Sequence, residues 1–410
     1  MKILFLGALF SETQEKDVLF KSKVGLQNSV VKFQRNLIKG LQENLEEKID
    51  VISMLPVGAY PRYYKDLVVK TNKNICDKDI SITNLGFLNL PLIKQLIVTY
   101  KTKKYIKEWI SLNKGEELCI VMYDLLLPHL LSLSNIKKDY PSVVTCSIIA
   151  DLPNEYGYDK GDKFPVKYIR RFIGNLQLKA IKELDVYGIL TENMKVPLKI
   201  SQEDYVVIEG IASSRGLIEH DNKSDKKIIL YAGALNKVYG LDILLDAFSC
   251  INDDKYELWI CGSGNYKSEI IERSKSDKRI KFWGYLNQDE IIKMQAKSTL
   301  LINPRQNIGE YTKYSFPSKI IEYLAAGKPV LAYKLDGIPD EYYDYIFYPK
   351  DNSKIALKNK IIEVCEMPTE KRRNIGLAGR NFVLKNKNAK LQTQKLLNLI
   401  KHKHIQRTLK

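Results

Sequence analysis

Short apolar runs alternate along the chain with longer stretches in which apolar positions recur every three to four residues. Residues 2–6 (KILFL) predict a first strand. A loop follows, then a helix on which Val30, Phe33, Leu37 and Leu41 share one face. Residues 49–53 predict a second strand. Residues 118–123 and 143–150 are unbroken apolar runs, as in strands of a parallel sheet covered on both faces. Residues 187–190 predict the last strand of this half. Residues 212–226 lose the periodicity and gain charge, and read as a linker. A second series then begins. Strands are predicted at 228–232, 258–261, 280–282, 300–302 and 330–333, with a helix marked by Leu241, Leu244, Leu245 and Phe248 and further helices near 288–296, 316–326, 354–366 and 369–384. A final helix at about 388–401 is followed by a short Lys/His tail.

This alternation is that of βαβ units. The expected architecture is α/β: two Rossmann-like, doubly wound domains facing a cleft. They cover residues 1–212 and 213–385, with 386–410 a helix and basic tail returning to the N-terminal domain. In such sheets ligands bind beyond the carboxyl ends of the strands, so the loops there are where chemistry is sought.

Composition narrows the choice. The 410 residues are 45% hydrophobic and 28% charged, which fits folded domains and not disorder. The formal net charge of +17 favours polyanionic neighbours such as anionic lipid, nucleic acid or phosphorylated ligands, or reflects solubility alone. The six cysteines (Cys76, Cys119, Cys146, Cys250, Cys261 and Cys365) are scattered and form no CxxC pair, so free thiols in a reducing cytosol are expected. No Cys/His spacing suits a metal, and none is expected. His402 and His404 lie in the basic tail and read as solvated. The N-terminal run is too short for a signal peptide and no other run would span a bilayer, so membrane contact is expected to be peripheral.

The richest segment is 303–333, NPRQNIGEYTKYSFPSKIIEYLAAGKPVLAY. Ser315-Phe316-Pro317-Ser318 reads as a helix entrance, with Pro317 near the first turn and Ser315 or Ser318 able to cap it. A helix N-terminus offers free N–H groups and partial positive charge to a phosphate. Lys319 adds a cation at that end. Glu322 follows at i+3, where a carboxylate can accept bonds from two vicinal ribose hydroxyls. Gly327 ends the helix. The same residues also read as a capped surface helix with an ordinary Lys–Glu pair, and the segment alone does not choose.

Order across the half does. Tyr231-Ala232-Gly233 is followed by Gly240-Leu241, by Leu244 to Phe248, by Cys261-Gly262-Ser263-Gly264 and by Arg279 to Leu286 (RIKFWGYL). Then come Asn303-Pro304-Arg305, Ser315 to Lys319, Glu322-Tyr323, Gly327-Lys328-Pro329 and Gly337-Ile338-Pro339. In this set, residues 228–350 resemble the donor domain of family 4 retaining glycosyltransferases of the GT-B type, especially the branch that builds bacterial surface polysaccharides. The resemblance extends to 378–386 (AGRNFVLKN), and more loosely to the N-terminal half.

The resemblance implies a nucleoside diphosphate sugar, a UDP-sugar, as donor. Gly233 and Gly264 would admit the diphosphate to the backbone, Gly284, Tyr285 and Leu286 would hold the base, and Glu322 the ribose. Lys319, Arg305, Lys237 and the Ser318 end of the helix would meet phosphate charge. Gly233 also reads as a plain turn residue, and Tyr285 as a core aromatic. The chain departs from the family's pattern at three places. Tyr314 stands where a second glutamate is common, with Glu310 nearby as a substitute. Ala234 and Tyr239 stand where Arg and Lys are common.

In the N-terminal half Asp151 follows the strand at 143–150, at a point where related enzymes often carry His. It reads as an acceptor-orienting carboxylate or as an N-cap. The loop Gly7-Ala8-Leu9-Phe10-Ser11 suits the acceptor side or a structural turn. Residues 163–172 (KFPVKYIRRF) interleave base and aromatic, and Lys101, Lys103, Lys104 and Lys107 cluster. Both suit an anionic membrane surface, or a solvated helix with a buried apolar face. The expected activity is retaining hexosyl transfer to a lipid-linked saccharide. It would run without a cofactor, at the inner face of the cell membrane, with no nucleic acid as partner. A sugar-nucleotide epimerase and a basic membrane- or RNA-binding module are the alternatives.

Overall fold

The computed structural model describes residues 1–24, 28–77, 80–153, 166–213 and 225–408. Most of the 212–226 linker, His220 and the start of the basic-aromatic segment (Lys163, Phe164) lie outside them. Two compact units result: Met1–Ile211 with Ala389–Lys410, and Ala212–Asn388.

Unit 1 contains β1 (Lys2–Gly7), α1 (Glu12–Lys21), α2 (Asn28–Leu45), β2 (Asp50–Met54), β3 (Val68–Val69), β4 (Asn72–Asp77), β5 (Ile80–Leu85), β6 (Phe87–Leu88), α3 (Pro91–Leu112), β7 (Leu118–Tyr123), α4 (Leu127–Asp139), β8 (Val144–Ile149), α5 (Val166–Ile181), β9 (Val186–Ile189), α6 (Lys195–Leu198) and β10 (Tyr205–Val207). Its main sheet runs β10-β9-β8-β7-β1-β2-β5-β4, parallel except for the β4–β5 pair. Every residue of β7 and β8 is buried, as their unbroken apolar sequences require.

The loop expected after β1 holds a helix. Ser11 N-caps α1 in a full capping box with Gln14, and Ser-x-x-Gln is the sequence signature of such a start. β10 adds a strand beyond β9, the strand expected to be last; with three residues it gives no readable periodicity.

Unit 2 contains β11 (Lys227–Ala232), α7 (Leu241–Ser249), β12 (Tyr256–Cys261), α8 (Lys267–Ser276), β13 (Ile280–Gly284), α9 (Gln288–Lys297), β14 (Leu300–Asn303), α10 (Lys319–Ala325), β15 (Val330–Ala332), α11 (Lys354–Glu366) and α12 (Thr369–Asn386). Its sheet is fully parallel, in the order β13-β12-β11-β14-β15.

The chain then re-enters unit 1 as α13 (Ala389–Thr408), which packs along α2. Gly40 makes room for it, since a Cβ there would lie 2.3 Å from the Ala389 carbonyl oxygen. Asn44 Nδ2 donates to the Lys390 carbonyl at 2.8 Å, and Leu396, Leu397 and Ile400 are buried. The far end is no solvated tail. The helix runs on to Thr408, His404 is buried, and Lys403 pairs with Asp204 at 2.5 Å. Arg407 donates to the Val143 carbonyl and pairs with Asp185. Burial pulls the His404 pKa down. The Lys/His pattern hid this because every third or fourth residue still faces the sheet.

Candidate active site

In unit 2 the loops leaving β11 and β12 lie almost in contact. Gly233 N–H donates to the Cys261 carbonyl at 3.1 Å, and Leu235 N–H to the Ser263 carbonyl at 2.9 Å. A Cβ on Gly262, whose φ is +142°, would sit 1.9 Å from the Gly233 oxygen. One on Gly264 would sit 2.3 Å from the Leu235 oxygen. Glycine is therefore needed at 262 and 264 so that the two loops can meet. A Cβ on Gly233 would lie 3.1 Å from the Tyr231 hydroxyl, a tight contact that the ring would have to relieve. Gly284, at φ +69°, closes the set by accepting a 2.8 Å bond from Gly262 N–H. Tyr285 beside it is 65% exposed, which removes the core-aromatic reading; Leu286 is half-buried.

Helix α10 is anchored to the same place. The buried Tyr323 hydroxyl accepts from Ala232 N–H at 2.8 Å and reaches the Ala232 carbonyl at 3.2 Å. This holds α10 against the end of β11, one residue before Gly233. Lys319 and Glu322 pair on the helix at 2.7 Å, both half-buried. Neither expected cap forms. Ser318 takes the N-cap place with helical dihedrals and no side-chain bond, while Ser315 Oγ accepts from Arg305 Nη1 at 3.1 Å. The helix is shorter than its pattern suggested, because Phe316 and Pro317 are buried ahead of it. Gly327 ends it at φ +72°.

Arg305, the cation expected to meet the diphosphate, lies in the interior of this region. It is only 6% exposed, with its guanidinium 4.8 Å from the Tyr311 ring centre and 5.9 Å from that of Tyr239. Its Nε has no hydrogen-bond partner among the described residues. Gly240, at φ +78°, is pressed against Pro304, so the turn carrying Tyr239 is fixed beside Arg305. Tyr239, where the family pattern has Lys, thus serves as one wall of an arginine cage, which spacing alone could not reveal. Lys237 on the same turn is exposed, 4.0 Å from Asp242. Glu310 is exposed on a short 3-10 turn, Glu310–Thr312, that also carries Tyr311.

In unit 1 the loop after β1 proves structural. Ala8 N–H donates to Gln34 Oε1 at 2.8 Å, Leu9 N–H to Ser53 Oγ at 2.6 Å, and residues 8–11 are buried. Asp151 stands exposed at the end of β8. The residue that organises this end is Asp124, after β7, in the left-handed region at φ +56°. Its Oδ1 accepts from the N–H groups of Ala150 and Asp151, each at 3.3 Å. Burial, with the Asp151 charge beside it, lifts the Asp124 carboxyl to about 7. A Tyr-Asp pair closing an apolar run was the available signal, since Asp tolerates left-handed backbone. His129 is a core group. Its Nδ1 lies 3.0 Å from Thr102 Oγ1 and its Nε2 3.3 Å from the Gly7 carbonyl oxygen, and burial lowers its pKa to about 4.

Cys119, Cys146, Cys250, Cys261 and Cys365 are free. Among the described residues no helix is long and apolar enough to cross a membrane.

Residues 217–382 match the family described as Glycosyl transferases group 1. No curated protein sequence matches the chain. Among solved structures, a sucrose-phosphate synthase from Thermosynechococcus elongatus is similar at TM-score 0.69 and 15% identity, covering 98% of this chain and 99% of that one. The lipopolysaccharide outer core galactosyltransferase WaaB follows at 0.63 and 15%, covering 98% and 100%. HepE of Anabaena, in complex with UDP and glucose, gives 0.62 and 14%, covering 98% and 99%. Such likenesses establish the fold, two Rossmann-like domains of GT-B type, and with the matched domain they support a glycosyltransferase of that type.

Proposed function

We propose that the protein is a retaining, family 4 hexosyltransferase. It moves a sugar from a UDP-sugar to a hydroxyl of a lipid-linked saccharide during the assembly of a surface polysaccharide such as capsule or exopolysaccharide. One observation carries the reading. At the carboxyl ends of β11, β12 and β14, close-packed glycine loops, a buried arginine without a carboxylate partner among the described residues, and the Lys319–Glu322 helix are built into one site. A leaving nucleoside diphosphate gains negative charge, and fixed cations with oriented N–H groups stabilise it.

In this reading Arg305, Lys319 and the backbone at Gly233, Gly264 and Ser318 face the diphosphate, with Lys237 at the rim. Glu322 exchanges its Lys319 partner for ribose hydroxyls, and Gly284, Tyr285 and Leu286 hold the base. Glu310 attends the transferred sugar, and Asp151 orients the acceptor hydroxyl. The donor needs no further cofactor or metal. The choice of uridine is supported by the UDP in the HepE structure. Exposed Tyr168, Ile169 and Phe172 on α5, beside Lys167, suit a place at the inner face of the membrane.

Thermal protection by UDP, GDP and ADP, with assays of UDP-sugar hydrolysis, tests the reading. UDP is expected to protect, and Glu322→Gln to weaken its binding about tenfold. Protection by no nucleotide would sink it.

A further inference from the structure

Unit 1 leaves large apolar side chains in water along one edge. Phe20 at the end of α1 is 73% exposed, and Leu92, Leu96 and Tyr100 on α3 are 75%, 72% and 70% exposed. Those three recur at i, i+4 and i+8, so they form one stripe on the outer face of the helix. Val68 on β3 is exposed as well.

These segments are joined into one surface. Lys65 N–H donates to the Lys21 carbonyl at 3.0 Å, Lys23 N–H to the Tyr63 carbonyl at 2.9 Å and Asn89 N–H to the Leu67 carbonyl at 2.7 Å. Each segment follows the carboxyl end of β1, β2 or β5, which are neighbours in the sheet. Scattered exposed leucines need no explanation, but a joined patch marks an interaction surface.

The charges among these side chains are basic. Lys23, Arg62, Lys65 and Lys70 are exposed, the Lys65 ammonium lies 3.9 Å over the Phe20 ring, and Lys103 and Lys104 continue α3 beyond Tyr100. Asp17 and Asp66 both pair with Lys21, at 2.8 and 3.1 Å. A second copy of the chain would bring the same basic rim against itself, so charge selects an anionic partner.

We propose that this face of unit 1 docks on an anionic lipid bilayer. Phe20, Leu92, Leu96 and Tyr100 enter the boundary between headgroups and acyl chains, and the lysines and Arg62 lie among lipid phosphates. The proposal extends the reading of a lipid-linked acceptor. It places the bilayer at the carboxyl edge of the unit 1 sheet, where α/β sheets receive ligands.

The test is flotation of the full chain with vesicles of phosphatidylcholine alone or mixed with phosphatidylglycerol, at low and high salt. The chain is expected to float with the mixed vesicles and to be released by salt. Combined Phe20→Ser, Leu92→Ser and Leu96→Ser should cut partitioning at least about tenfold. Lys23→Glu with Arg62→Glu and Lys65→Glu, which alters no buried group, should do the same. UDP protection measured on each variant shows whether it is folded and is expected to be unchanged. Equal partitioning of the apolar and charge variants with the wild type would overturn the proposal. So would equal binding to neutral vesicles, or a concentration-dependent dimer that these substitutions dissolve. Vesicle binding without nucleotide protection would remove the donor reading and leave this surface standing; the reverse result would remove only the surface.

Discussion

Tyr323→Phe deletes one oxygen and leaves the packing of α10 unchanged. The hydroxyl is buried, accepts the Ala232 N–H at 2.8 Å and reaches the Ala232 carbonyl at 3.2 Å. Its removal leaves a buried N–H without that partner, at a cost of about 1–3 kcal/mol. No cavity term adds to this, because the ring stays. For a domain of this size each kcal/mol lowers the melting temperature by roughly 2–4 °C. The variant should therefore melt about 2–12 °C lower, read as the transition of unit 2 by scanning calorimetry. The tether also fixes the helix bearing Lys319 and Glu322, so UDP affinity by isothermal titration should fall with stability. Tyr231→Phe is the comparison. Its hydroxyl donates at 2.8 Å to the carbonyl of exposed Ala234, which water can satisfy, so it should cost less than about 1 kcal/mol. Equal, small effects of the two substitutions would refute the claim that the Tyr323 hydroxyl holds α10 in place.

Three further outcomes follow from the same kind of reasoning. Asp124 holds a proton up to about pH 7 when folded but only to about pH 4 when unfolded, so its contribution to stability is present at low pH and lost as pH rises across that interval. Melting curves from pH 4 to 8 should show a decline that Asp124→Asn flattens; parallel profiles would remove the argument. Asp185 accepts from Thr145 N–H at 2.8 Å and Thr145 Oγ1 at 2.7 Å and pairs with Lys137 and Arg407. Asp185→Ala should cost about 3–5 kcal/mol in urea unfolding, since it strands two half-buried cations. Gly262→Ala places a methyl 1.9 Å from the Gly233 oxygen and must separate the β11 and β12 loops. UDP binding should fall at least about tenfold even where the protein stays folded, and retained affinity would mean that those loops do not shape the site.

The central strands are legible because burial on both faces leaves unbroken apolar runs: the run 118–123 matches its strand residue for residue, and the runs 228–232 and 300–302 match theirs to within one. What escaped was what periodicity does not encode. The β4–β5 hairpin and the three-residue β10 are too short or too polar to show a period. Helix α1 hid behind a polar face although its capping box was visible. Within the candidate site, the ordered motifs pick out Gly233 and Gly264, which lie on loops that meet, and Lys319 and Glu322, which lie on the helix tied to the end of β11. They could not show that Arg305 is caged by Tyr239 and Tyr311, because that contact joins residues 66 positions apart, 239 to 305, through tertiary packing. Asp124 is not legible in the sequence because its significance depends on a backbone twist and on neighbours 26 and 27 residues away.

The late return of the chain to unit 1 bears on how the molecule is made. Everything up to Ile211 leaves the ribosome without the segment that covers α2, so the groove awaiting Leu396, Leu397 and Ile400 stays wet until Ala389–Thr408 has been made. Ala212–Asn388 has no such debt and can close first. Synthesis order and maturation order are thus reversed: the half that emerges second is finished first, and the nascent first half is the natural client for a holding chaperone.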